Sequence, residues 1–179
     1  MKTTFEKDLY RYYGGKKRTI KQLLFPKPEI KYIYLFRKCQ SSKGLLQLFF
    51  RFLLRRMSLK TGIQISYETQ IAEGFSIGHR GVIIINPNAT IGRNVSVSPG
   101  VVIGQENRGQ RKGCPAIGDC CWIGSNAVIV GKVKIGNDVL IAPNAFVNFD
   151  VPDHSVVIGN PGKIIENGNA TRDYLDNLV

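Results

Sequence analysis

The first residue in this chain whose type and setting could do chemistry is a histidine inside an apolar run. The stretch FSIGHRGVIII, residues 75 to 85, places His79 between glycines and beside Arg80, and the chain holds only 2 histidines. A hydroxyl is a weak nucleophile at neutral pH, and an outward-facing imidazole is the side chain best suited to take its proton. The competing reading is a satisfied core histidine. A second polar cluster is QENRGQRKGCP, 105 to 115, in which Arg108, Arg111 and Lys112 could grip an anion or be solvated loop charges, and Cys114 precedes a proline. A third is GNPGK, 159 to 163, which ends on the cation Lys163. His154, in the turn PDHS, reads as a surface residue.

The elements that carry these residues follow from a repeat. Counting in sixes from Ile65 gives Ile71, Ile77, Ile83, Ala89, Val95 and Val101; counting from Ile117 gives Ile123, Ile129, Ile135, Ile141 and Val147. All but Ala89 are Ile or Val, although those two types make up only 34 of 179 residues. The count implies one ten-residue insertion between Val101 and Ile117 in an otherwise constant register. Neither a helix nor an alternating strand predicts an apolar residue every sixth place, whereas a coil of short strands joined by tight corners does. Small residues follow many of the inward positions (Ala72, Gly78, Gly118, Gly124, Gly136 and Ala142), as close corners require. His79 lies two places after the inward Ile77, so its side chain is expected to point outward.

Length and charge set the remaining bounds. A chain of 179 residues accommodates one domain and an appendage. Residues 1 to 60 hold 16 Lys and Arg against 3 Asp and Glu, while the rest hold 9 against 10. The basic first third suggests an anionic partner or a solvated face. Residues 1 to 58 read as basic helices and turns, 59 to 166 as the solenoid, and 167 to 179 as a short helix or frayed tail. The start, MKTTFEKDLY, has acids where a signal peptide has its apolar core. The run GLLQLFFRFLLRRM, 44 to 57, is interrupted by Arg51 and too short to span a bilayer. It either caps the open end of the solenoid or rests on a cytoplasmic leaflet. Cys39, Cys114, Cys120 and Cys121 form no CxxC pair, so neither a zinc site nor a disulfide framework is indicated, and a cytoplasmic setting fits.

The repeat resembles that of the hexapeptide-repeat acyltransferases, which implies an all-β solenoid: a left-handed parallel β-helix, here with a short α-helical N-terminal segment. The histidine in FSIGHRGVIII, the insertion opened by VVIGQ and closed by CPAIG, and the end motif VPDHSVVIGNPGKII resemble the serine O-acetyltransferase branch, including colanic-acid-type polysaccharide O-acetyltransferases. The resemblance covers about residues 60 to 166 and implies direct acetyl transfer from acetyl-CoA to a hydroxyl, with His79 as general base. By the same resemblance Gln64 occupies the place of a carboxylate that orients the histidine; Gly124, Ser125 and Ala142 line the pantetheine groove; Lys163 faces the CoA phosphates; and Arg108, Arg111, Lys112 and Cys114 lie on the acceptor side.

The chain departs from the serine enzymes in three places. Gly78 stands where they carry an aspartate before the histidine, Gly113 and Cys114 where they carry Arg-His, and Gln64 where the family has an acid. A sugar hydroxyl of a surface polysaccharide or its precursor, small or lipid-linked, is therefore favoured over the serine of cysteine biosynthesis. A catalytically dead β-helix scaffold is the non-enzymatic alternative. The family groove lies between subunits, which implies a homotrimer. The three-histidine zinc carbonic anhydrases share the fold but need more histidines than this chain has, and no nucleic-acid partner or metal is expected. Location in the cytoplasm, or peripheral to the inner face of the membrane, follows.

Overall fold

The computed structural model describes residues 2–16 and 19–179. Four helices come first: α1 (Thr4–Tyr13), α2 (Ile20–Leu24), α3 (Pro28–Ser41) and α4 (Gly44–Thr61). Their ends follow local chemistry. Thr3 and Glu6 close a reciprocal capping box on α1, Pro28 opens α3 with a preset φ, and Gly62 stops α4 in the left-handed region at φ +81°. α4 thus continues to Thr61, past the expected end of the helical segment at residue 58.

Fifteen short strands then wind into a three-faced parallel solenoid. Face 1 stacks β1 (Ile63–Ile65), β4 (Ile83–Ile85), β7 (Val102–Gly104), β10 (Val128–Val130) and β13 (Phe146–Val147). Face 2 stacks β2 (Gln70–Ile71), β5 (Thr90–Ile91), β8 (Ala116–Ile117) and β11 (Lys134–Ile135). Face 3 stacks β3 (Ser76–Ile77), β6 (Ser96–Val97), β9 (Trp122–Ile123), β12 (Val139–Ile141) and β14 (Ser155–Ile158), with β15 (Lys163–Glu166) added antiparallel at the end. Three inward columns form the core: Ile65, Ile85, Ile103, Ile129 and Val147; Ile71, Ile91, Ile117, Ile135 and Val151; Ile77, Val97, Ile123, Ile141 and Val157. All of these side chains are buried.

The observed register corrects the sixfold count. Ile77 is followed on the next face by Ile85, not Ile83, so the corner that carries His79 is two residues longer than a hexad. Ile83, Ala89, Val95 and Val101 are a second set of inward residues, two places before the column positions, and they too are buried. The major insertion therefore runs between Ile103 and Ile117 and adds eight residues rather than ten. The miscount arose because a strand of three sends both its first and third residues inward.

The open first turn is sealed by the helices, which answer its unpaired backbone groups face by face. On face 1 the Tyr32 hydroxyl donates to Ile65 O (3.0 Å) and accepts from Ile65 N (3.1 Å). On face 2 Arg37 donates to Ile71 O (2.6 Å) and Ala72 O (2.7 Å). On face 3 the Tyr12 hydroxyl donates to Ile77 O (3.0 Å) and accepts from Ile77 N (2.7 Å). Arg37 is held in turn by buried Asp8, 2.7 Å away. A sheet edge that would otherwise template pairing is thereby closed.

The C-terminal residues are neither helical nor frayed, contrary to expectation. They run back over the solenoid. Thr171 donates through its hydroxyl (2.6 Å) and amide (3.0 Å) to Asp138 Oδ1, Tyr174 packs on Trp122 at 4.8 Å between centroids, and Val179 exchanges hydrogen bonds with the Asn94 side chain.

Candidate active site

His79 lies on the edge where face 3 turns into face 1, on the corner lengthened by two residues. Gly78, His79 and Arg80 are exposed. The sequence-predicted cofactor residues share this edge. Gly78 follows Ile77 as Ser98 follows Val97, Gly124 follows Ile123 and Ala142 follows Ile141. Amides tie the column turn to turn: Gly78 N to Val97 O (3.0 Å), Ser98 N to Ile123 O (2.9 Å), Gly124 N to Ile141 O (2.8 Å) and Ala142 N to Val157 O (2.8 Å). Ser125 occupies, two turns along, the place that His79 holds after Ile77. Lys163 pairs in register with Ile158, which ends the same column. At about 4.8 Å per turn the edge from His79 to Ile158 covers roughly 19 Å.

Gly124 and Gly78 differ in what a side chain would meet. A Cβ at Gly124 would sit 2.7 Å from Pro143 N and 2.9 Å from Ile141 O, so close stacking of turns requires this glycine. A Cβ at Gly78 would find only Val97 O, at 3.8 Å. Nothing steric excludes the missing aspartate from position 78.

The insertion stands on the opposite edge of face 1, between β7 and β8. It is a hairpin, bridged between Glu106 and Gly113. Arg111 pairs with Glu106 at 3.5 Å, and Arg108, Arg111 and Lys112 are all exposed. Gly113 has φ +137°, and a Cβ there would meet Lys132 Cβ at 3.1 Å, so the family's arginine would be strained on this backbone. Cys114 donates its thiol to Asn86 Oδ1 at 3.3 Å. Burial pushes this thiol above its ordinary value, so it stays protonated near neutrality and is a donor rather than a nucleophile. Asn86 was not singled out in the sequence, although the eight-residue step from Ile77 to Ile85 would have placed it directly after a column residue.

Gln64 is exposed on β1 and lines a shallow groove of about 420 Å³ with Ser58, Ile84, Asn86 and Gly104. Gln64 and His79 are both at the first turns of face 1, but no hydrogen bond joins them among the described residues. Of the two histidines only His154 has a side-chain hydrogen bond among those residues, Nδ1 to Asp138 Oδ2 at 2.9 Å. His154 lies on the edge between faces 2 and 3, stacked on Asn137 O through its amide (2.9 Å), away from His79. No cluster of three or more His, Cys, Asp or Glu suited to a metal occurs among the described residues. One chain therefore gathers His79, Gly124, Ser125, Ala142 and Lys163 on one edge of face 1, and Arg108, Arg111, Lys112 and Cys114 on the other.

The three-faced fold and the hexad repeat match known proteins. Residues 115–148 match the family described as bacterial transferase hexapeptide (six repeats). Serine acetyltransferase 4 of Arabidopsis thaliana is 33% identical over 135 residues, covering 69% of this chain and 38% of the relative. A Staphylococcus aureus serine acetyltransferase is 36% identical over 106 residues, covering 59% of this chain and 50% of the relative. Among solved structures, Neisseria gonorrhoeae serine acetyltransferase in complex with serine superposes with TM-score 0.72 at 27% identity, covering 90% of this chain and 67% of that one. The Brucella abortus serine acetyltransferase, at 22% identity and TM-score 0.76, shares the fold. The chain spans about a third to a half of the length of the curated relatives it matches. Its solenoid is that of a hexapeptide-repeat transferase. Within that class the chain is similar to the serine acetyltransferases, and the relatives compared are serine rather than polysaccharide acetyltransferases.

Proposed function

We propose that this chain is an acetyl-CoA-dependent O-acetyltransferase in which His79 is the general base. The observation that carries the reading is the single edge that aligns exposed His79 with Gly124, Ser125, Ala142 and Lys163 over a length suited to an extended pantetheine arm. The imidazole takes the acceptor's hydroxyl proton as the oxygen attacks the thioester carbonyl. The carbon–sulfur bond then breaks, and the imidazolium returns the proton to the departing CoA thiolate. The protonated state of Cys114 favours this direct transfer over an acyl-enzyme on that residue. Substituting His79→Ala is expected to lower kcat/KM by about 10²- to 10⁴-fold with the oligomer unchanged; retention of near-full activity would overturn the assignment.

Serine is the acceptor that the family relationship favours, in place of the sugar hydroxyl expected from sequence. A sugar hydroxyl remains a second reading because of specific residues: position 78 lacks the acid suited to an ammonium group, and the Gly113 backbone disfavours the arginine suited to a carboxylate. Labelled acetyl-CoA offered with serine, and with nucleotide- and lipid-linked sugars, decides between them by the product formed.

The proposed active unit is a homotrimer. Face 1 carries Ile84, Val102, Val128 and Phe146 outward, face 2 carries Gln70, Thr90, Ala116 and Lys134, and face 3 is overlaid by the C-terminal residues at Trp122. Face 1 is thus the apolar face left to meet a second copy. Such a contact would bring the His79 edge of one chain toward the insertion hairpin of its neighbour, joining two sets that a single chain holds apart.

A further inference from the structure

α4 is apolar on two sides, and only one of them is used. Leu54 and Met57 enter the core, with Phe50 and Leu53 packed against it. On the other side Leu45, Leu48, Phe49, Phe52 and Leu59 recur at helical spacing and are each between 55% and 84% exposed. Arg51, Arg55 and Lys60 are exposed beside this stripe and Arg56 within it, and α4 contains no Asp or Glu. Among the described residues no helix is long and apolar enough to cross a membrane.

We infer that the outer face of α4 docks on an anionic lipid bilayer, lying in the plane of the interface with its leucines and phenylalanines among the acyl chains and its cations at the headgroups. Three observations single out this occupant. The one polar residue within the stripe, Arg56, is a cation, and α4 carries no acid that would pair with a basic groove. Arginines flanking apolar side chains are the arrangement that combines acyl burial with attraction to acidic headgroups. A second copy of the chain docked on this face would bring two helices together that each expose Arg51, Arg55, Arg56 and Lys60 with no acid to offset them, and like charges pressed together repel. The docked surface also abuts the candidate site: the hollow beneath α4 shares Ser58, Ile65 and Ser66 with the groove that contains Gln64. The inference does not depend on acetyl transfer, since its test reads binding alone.

The test is co-sedimentation of the full chain with vesicles of phosphatidylcholine alone or mixed with phosphatidylglycerol. The expected result is partitioning onto the anionic vesicles, weakened by salt, with little onto the neutral ones. The double variant Arg55→Gln/Arg56→Gln is expected to lower that partitioning about fivefold for each charge removed, and Phe52→Ser by about tenfold or more. Both changes lie on the solvent side, so circular dichroism and thermal midpoint should match the parent. No partitioning onto either vesicle overturns the proposal, as does equal partitioning onto both. Self-association in solution that Phe52→Ser abolishes, without vesicle binding, overturns it in favour of a second copy. Retention of nucleic acid at physiological salt that vesicles fail to displace overturns it in favour of that partner.

Discussion

At the scale of single residues the informative positions are those where the chain departs from its relatives. Gly78 is the simplest to interrogate, because a side chain there meets ordinary van der Waals distance and no strained φ. Introducing Gly78→Asp should leave thermal stability within about 0.5 kcal/mol of the parent, as expected of a surface change without a clash. If serine is the acceptor, the new carboxylate beside the base should lower KM for serine more than it changes kcat, because it pairs with an ammonium group present in ground and transition states alike. Steady-state kinetics with serine and with a sugar acceptor check this, and an equal effect on both would sink it. His79 drew attention in the sequence as one of 2 histidines, set between glycines, and it is exposed because it lies on a corner; strand alternation alone would have turned a residue two places past Ile77 inward. Asn86 was not legible, because its partner Cys114 is far off in sequence and meets it only when the insertion folds back. The part of Gln64 was least legible: the family place is occupied, yet a neutral amide on β1 makes no hydrogen bond with His79.

At the scale of elements, hexad periodicity revealed the solenoid but concealed the lengthened His79 corner and misplaced the bounds of the insertion. Branched residues fill both inward places of three-residue strands such as Ile83–Ile85, so a count in sixes passed from one inward set to the other without leaving apolar residues. The helical cap was harder to foresee, since the side chains that complete the first turn come from tyrosines and an arginine whose targets are backbone atoms. That arrangement can be tested at Tyr12. Its phenol is pushed well above the usual tyrosine range by burial, so it remains a donor at any physiological pH, and it serves Ile77 N and O together. Changing Tyr12→Phe keeps the ring and strands two backbone groups at a fully buried residue. A destabilisation of about 1–3 kcal/mol is expected for an unsatisfied buried group, read as a lower urea midpoint with an unchanged slope. Because Ile77 leads directly into the His79 corner, kcat/KM should fall as well.

At the scale of the whole molecule, the C-terminal residues join the last turns of the solenoid to the first, and Asp138 is where they are fastened. Its carboxylate accepts from Thr171 Oγ1, Thr171 N and Ala170 N, and its other contact is the His154 ring. Burial by itself raises this acid, but the hydrogen bonds from Thr171 and His154, with the backbone amides, outweigh it and hold the carboxyl below its ordinary value. An acid whose folded pKa is depressed contributes stability that is complete above its unfolded pKa and is lost as pH falls through the folded one. The fastening should therefore be intact at neutral pH and fail on acidification below the ordinary carboxylate range. Replacing Asp138→Asn, which keeps the shape but not the titrating charge, should flatten the acid limb of a plot of urea midpoint against pH. It should also raise amide exchange at Thr171 and Val179 at neutral pH. Since Val179 reaches Asn94, and the Asn94 carbonyl oxygen also accepts from Arg11 of α1 at 3.5 Å, loosening at Asp138 should spread to the cap. Unchanged exchange around α1 in Asp138→Asn would show that the two ends are fastened independently.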